Sequence, residues 1–153
     1  IISCSSHPIS ARIASKIEPL WLLANREEIR SAFSNLVTNA IRYTPAGGDI
    51  LVTWTAEDGE PTLRVRDNGD GIAPEHIPRL TERFYRVDRS RSRSTGGTGL
   101  GLAIVKHVMQ RHQGRLGITS GEGQGSTFSC VFPATRIAPA SGSVAQVTPI
   151  RAA

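Results

Sequence analysis

The chain has 153 residues, enough to bury one sizeable core. No apolar run approaches the roughly 18 residues that a membrane-spanning helix needs, and the opening IISCSSHPISARIASK lacks the sustained apolar stretch of a secretory leader. Cys4 and Cys130 are too few for a disulfide scaffold and lack metal-ligand spacing, while the net charge of +5 points first to nucleic acid.

Residues 1–16 carry few signals and are expected to be poorly ordered. Arg12–Ile17 and Pro19–Ala24 still offer two short apolar pieces with strand character. Arg26–Tyr43 predicts a helix: Ile29, Ala32, Phe33, Leu36, Val37, Ala40 and Ile41 form one apolar stripe, ended by Pro45 and Gly47-Gly48. On a wheel at about 100° per residue, Asn35, Asn39, Arg42 and Tyr43 share an edge beside that stripe. Asparagine is a poor interior helix residue because its amide competes for backbone partners. Two readings stand. The amides bond to a neighbouring loop, or the Asn39 oxygen ligates a hard cation such as Mg²⁺ with Arg42 placed to meet phosphate. The helix alone favours the first.

Ile50–Thr55 and Thr62–Arg66 alternate in polarity around Glu57-Asp58-Gly59-Glu60 and predict a hairpin. The loop DNGDGI follows at 67–72. Asp67 at the strand end is an acceptor-only carboxylate, suited to an exocyclic amine such as that of adenine. The other reading is an Asn/Gly turn that Asp67 caps. Pro74–Leu80 predicts a short helix.

Residues 82–98 have no periodicity and predict a long functional loop. Between residues 83 and 93, Arg83, Arg86, Arg89, Arg91 and Arg93 stand against Asp88 alone, and the rest of the chain is nearly neutral. A basic charge this compact suits a compact anion as well as a polyanion, and aromatics to stack bases are scarce. Phe84 and Tyr85 are expected to pin the loop's base to the core. GGTGLGL at 96–102 leads straight into a helix predicted over Leu100–His112, with Leu100, Ala103, Ile104, His107 and Val108 on one side. Glycine-freed N–H groups and a helix N-terminus favour anions. The Arg-rich loop then reads as a lid whose guanidiniums meet phosphates. Neither a Walker A nor a Rossmann fingerprint is present. Leu116–Ser120 and Ser126–Phe132 predict two more strands around Gly121–Gly125; there Gly125 and Thr127 either approach a ligand or form a plain hairpin turn. Residues 136–153 read as a disordered tail. The order helix, hairpin, helix, hairpin predicts an α+β fold: a two-layer sandwich with a mixed, mostly antiparallel sheet and helices on one face.

Four signals in one order, N35-LVT-N39-AIRYTP, D67-NGDGI, F84-YR and G97-TGLGL, resemble the ATP-binding catalytic domain of sensor histidine kinases. That domain shares the GHKL (Bergerat) superfamily with type II topoisomerase, Hsp90-type and MutL ATPases. The likeness covers about residues 20–134, and the lid wording is similar to the phosphate-regulon sensor kinases. It implies a catalytic domain at 17–135 with its lid at 82–98. It implies ATP and Mg²⁺, with Asn39 as metal ligand and Asn35, Arg42 and Arg86 acting around the phosphates. Tyr43 would pack on adenine, Asp67 would take its amine, and Gly69, Gly71 and Ile72 would shape the base pocket. Gly97, Thr98, Gly99, Leu100, Gly101 and Leu102 would supply the lid hinge and phosphate contacts, and Thr127 would line the adenine side.

In the hydrolysing relatives a glutamate occupies the position of Asn35. An amide cannot take a proton from water at neutral pH, so the resemblance implies phosphoryl transfer rather than hydrolysis. The acceptor would be a histidine on a separate dimerisation domain, and the phosphoryl would pass on to a response-regulator aspartate. His7 is followed by Pro-Ile, unlike the family's phosphoacceptor, and His107 and His112 suit packing or surface roles. The implied parent is a sensor anchored in the inner membrane through segments absent here, with this portion cytoplasmic and without a nucleic-acid partner. The alternatives are a nucleotide-binding pseudokinase module that regulates a partner, and a basic nucleic-acid-binding domain.

Overall fold

A computed structural model describes residues 11–87 and 99–139. Five strands, β1 (Arg12–Ile17), β3 (Asp49–Glu57), β4 (Glu60–Asp67), β5 (Arg115–Gly121) and β6 (Gly125–Val131), form one sheet in the order β1-β3-β4-β6-β5. Only the β1–β3 pair is parallel; the other three pairs are antiparallel. Helices α1 (Arg26–Tyr43) and α2 (Gly101–Arg111) lie on one face and pack against each other. The predicted two-layer α+β sandwich is the fold observed.

α1 has the predicted ends. The Asn25 side chain accepts from the Glu28 N–H at 3.0 Å, and Glu27 and Glu28 lie in the first turn, where the helix dipole favours anions. Ala32, Leu36 and Ala40 are buried against the sheet, with Ile29, Phe33, Val37 and Ile41 packed alongside. Strand alternation sends Ile50, Trp54, Leu63, Val65, Phe128 and Cys130 to the same layer, where α2 adds Val105, Val108 and Met109. Phe33, Trp54 and Phe132 meet there with ring centroids 6.1–6.3 Å apart.

The predicted face of α2 is out of phase. Ile104 is exposed and His107 lies on the solvent side, while Val105, Val108, Met109 and His112 are buried. Leu100 precedes the helix as its N-cap, so a stripe counted from Leu100 starts one position early. Pro74–Leu80 yields a single 3-10 turn, Ile77–Arg79. Pro78 has no N–H to continue a helix.

Both ends extend further than expected. Residues 12–16 are not loose but pair with β3, held also by Arg12 to Asp49 at 2.8 Å. The strand expected at Arg12–Ile17 is thus observed as β1, an edge strand with every side chain exposed. Pro19–Ala24 contributes only β2 (Trp21–Leu22), which pairs with β7 (Ile137–Ala138) from the expected tail. Arg136 fixes that return by donating to the carbonyls of Leu23 at 2.8 Å and His112 at 2.7 Å. Gly97, Thr98, the arginines at 89, 91 and 93, His7, Cys4 and the tail from 140 onward lie outside the described residues. Among the described residues no helix is long and apolar enough to cross a membrane.

Candidate nucleotide site

A cleft of about 430 Å³ opens between the C-terminal half of α1, the loop after β4, the lid base and the start of α2. Asn35, Asn39, Arg42 and Tyr43 all line it, so the predicted helix edge is one wall. Asp67, Gly71 and Ile72 form the floor side, and Arg86, Gly99, Gly101 and Leu102 the lid side.

Asp67 is 5% exposed at the deep end. Burial pushes its carboxyl pKa above the ordinary value, while the backbone N–H groups of Gly69 and Ser126 pull it back down. The Gly69 N–H donates to Oδ1 at 2.9 Å. A Cβ on Gly69 would lie 2.6 Å from the Tyr43 carbonyl oxygen, so the loop closes directly on the end of α1. Gly71 has φ of +74°, and a Cβ there would stand 1.9 Å from the Gly121 carbonyl oxygen. Only glycine fits that approach, which seats the loop on the β5–β6 turn.

The asparagines differ. Asn35 donates its amide N–H to the Ser31 carbonyl at 2.8 Å, and its Oδ1 faces Gly101. Asn39 is half-buried, and its side chain hydrogen-bonds no other group among the described residues. Among the described residues, neither amide bonds to a neighbouring loop. A free, half-buried amide oxygen beside Arg42 is a donor of the type a hard cation takes. No cluster of three or more His, Cys, Asp or Glu stands ready for a metal among the described residues. Such an ion would have to arrive with oxygens of its own, as it does on a triphosphate.

At the lid side Phe84 donates its N–H to the Gly99 carbonyl at 2.9 Å. The two flanks of the segment expected to form a lid thus meet at a neck. Phe84 itself is 72% exposed and pins nothing to the core, contrary to expectation. Tyr85 is the anchored one: it shares a hydrogen bond with His76 Nδ1, and the Arg79 guanidinium sits 4.3 Å over its ring. α2 starts at Gly101 with no side-chain cap on its first N–H groups, which suits an anion. Leu100, just before it, does not line the cleft.

Thr127 does not reach this cleft. It is cross-strand to Arg66 and Thr119 on the open face of the sheet, where it lines a shallow groove with Lys16, Thr53 and Arg64. Alternation puts Ser126 and Phe128 in the cleft instead. The buried Phe128 two residues on gave the signal: residues 126 and 128 share a face. Thr38, one step round the same helix edge, and Asp70 also line the cleft, though neither is among the expected site residues.

The family described as "Histidine kinase-, DNA gyrase B-, and HSP90-like ATPase" matches residues 24–136. The chain is 53% identical over 135 residues to the Phosphate regulon sensor protein PhoR of Pseudomonas aeruginosa, covering 88% of this chain and 30% of that protein. It therefore spans under a third of that relative's length. Among solved structures, the mycobacterial sensor histidine kinase MprB superposes with a TM-score of 0.71 at 28% identity, over 82% of this chain and 83% of that one. Full-length ShkA in complex with AMPPNP gives a TM-score of 0.71 at 33% identity, over 87% of this chain and 27% of that one. The chain belongs to the histidine kinase-, DNA gyrase B- and HSP90-like ATPase family, as a catalytic ATP-binding domain of the sensor histidine kinase kind.

Proposed function

We propose that this domain transfers the γ-phosphoryl of ATP to a histidine on a separate dimerisation domain of the same kinase, from which a response-regulator aspartate receives it. The observation that carries the reading is one cleft holding both a buried carboxylate, Asp67, and the Asn35–Asn39–Arg42 edge. Asp67 accepts the adenine amine, and Tyr43 and Ile72 flank the base. Arg42, Arg86 and the uncapped start of α2 meet the phosphates, as the glycines at 99 and 101 let the chain approach closely. Gly97 and Thr98 belong to the same lid. Asn39 holds Mg²⁺, which neutralises phosphate charge when bound.

In the transfer, an imidazole nitrogen bonds to the γ-phosphorus as the bond to the β,γ-bridging oxygen breaks, and ADP leaves. Asn35 cannot act as a base, so water is not activated and the phosphoryl waits for the histidine. The 53% identity to a phosphate-regulon sensor supports phosphate signalling as the setting. We place the domain in the cytoplasmic portion of a membrane-anchored sensor. Mixing the chain with the histidine-bearing domain and labelled ATP tests this. Acid-labile phosphate on the partner is expected. Nucleotide binding with no transfer would make the domain a regulatory pseudokinase, and salt-sensitive DNA binding with indifference to ATP would make it a nucleic-acid module.

A further inference from the structure

Ser120 sits where three segments meet. Its Oγ accepts from the Ile72 N–H at 2.8 Å, donates to the Gly125 carbonyl at 2.9 Å and lies 2.8 Å from the Ser126 Oγ. Ile72 belongs to the loop after β4, Gly125 opens β6, and Ser126 lines the cleft.

Proton counting fixes the orientation of these groups. A hydroxyl has one hydrogen and two lone pairs. The Gly125 carbonyl can only accept, so the Ser120 hydrogen goes there. The Ile72 N–H can only donate, so it takes one lone pair of Ser120. The contact with Ser126 is then met by the remaining lone pair, which means that Ser126 is the donor. Its only hydrogen is spent on Ser120, and its Oγ can offer nothing but lone pairs to the cleft. Ser126 is 6% exposed and is the direct cross-strand partner of Asp67. The deep end of the cleft therefore presents two acceptors side by side, a carboxylate and a polarised hydroxyl.

We propose that Ser120, which touches no ligand itself, is a positioning residue that turns Ser126 into an acceptor and so selects a purine with an exocyclic amine over one with an oxo group. The inference rests on the reading of this cleft as an adenine-nucleotide site. An amine has two hydrogens, one for each acceptor. An oxo group would bring a third acceptor against two, and buried acceptors left unpaired are costly.

The test is calorimetric titration with ATP and with inosine triphosphate, which carries oxygen in place of the amine, alongside thermal melts. Wild type should prefer ATP. Ser120→Ala frees the Ser126 hydrogen to donate, so the ATP-to-inosine preference should narrow by about tenfold, one hydrogen bond's worth. Ser120→Thr keeps the hydroxyl and should keep the preference. A loosened loop alone would weaken both nucleotides alike, so an unchanged ratio in a folded Ser120→Ala overturns the inference and leaves the site standing. Wild type that binds neither nucleotide removes the site reading and the inference with it. Should Ser120→Ala not fold, hydroxyl-proton NMR of the ATP-bound wild type decides. The Ser126 hydrogen should correlate with the Ser120 side chain; correlation with the base instead overturns the proposal.

Discussion

The Asn35 side-chain oxygen stands 2.9 Å from the point where a Cβ on Gly101 would lie. The first residue of α2 is thus in touch with the polar edge of α1. The opposing atom is the end of a side chain and can swing away. Gly101→Ala is therefore expected to leave the melting temperature nearly unchanged, since alanine is also the better helix former. It should displace the Asn35 amide and weaken ATP-analogue binding by about tenfold, the worth of roughly one hydrogen bond. Paired melts and titrations separate the two effects.

Asp67 carries the pH dependence. Its folded-state pKa is raised, chiefly by burial. A carboxyl shifted that way favours the fold while protonated, and the benefit is lost as pH rises through the folded value. Once ionised, the Asp67 carboxylate therefore opposes folding in the ligand-free domain. Asp67→Asn removes the charge, while its oxygen can still accept from Gly69. The variant should melt higher than wild type at pH 7, with the gain vanishing in acid. Nucleotide affinity should drop at least about tenfold, because an amide N–H₂ now faces a donor. In wild type, binding should weaken on acidification at a higher pH than an ordinary aspartate would give.

The neck of the lid depends on Gly99. Its φ is +72°, and a Cβ would fall 2.8 Å from the Phe84 Cα and 2.9 Å from its carbonyl carbon. Backbone cannot step aside as a side chain can. Gly99→Ala should cost about 2 kcal/mol from the left-handed backbone and the forced shift together, and should weaken nucleotide binding as well. Denaturant titration measures the first and calorimetry the second.

Away from the cleft, Asn25 and His112 hold the start of α1. The Asn25 N–H donates to His112 Nε2 at 3.1 Å, so the proton is on Nδ1, which donates to the Val108 carbonyl at 2.7 Å. His112 is 3% exposed against Phe132. Asn25→Ala removes the α1 cap and should cost about 1 kcal/mol. His112→Ala, which leaves a cavity and unpaired groups, should cost about 2–4 kcal/mol. Neither residue lines the cleft, so ATP affinity of the folded Asn25→Ala variant should stay within about twofold of wild type, well under one hydrogen bond.

Much of this arrangement was legible in the residues. Arg26–Tyr43 carries a helical period over 18 residues with a stop after it, and its polar edge forms the cleft wall. The β3–β4 hairpin and Asp67 followed from alternation and turn chemistry. What could not be read was pairing without hydrophobic pattern. β1 is exposed throughout, and β2 and β7 are two residues each, held by backbone bonds and Arg136. Thr127, which the resemblance puts at the adenine side, faces the open side of the sheet by strand parity. One step along β6, Ser126 faces the site because Phe128 faces the core. The link from Ser120 to Ile72, 48 positions apart, joins β5 to the loop after β4, which only the folded sheet brings together.

The central claim is that an adenine nucleotide seats on Asp67 with its phosphates along the Asn39–Arg42 edge. Calorimetric titration of an ATP analogue, with and without Mg²⁺, on wild type and Asp67→Ala tests it most directly. One saturable site, tighter with Mg²⁺ and lost in Asp67→Ala, is the outcome predicted. Absence of binding to wild type, or equal affinity in a folded Asp67→Ala, would contradict it.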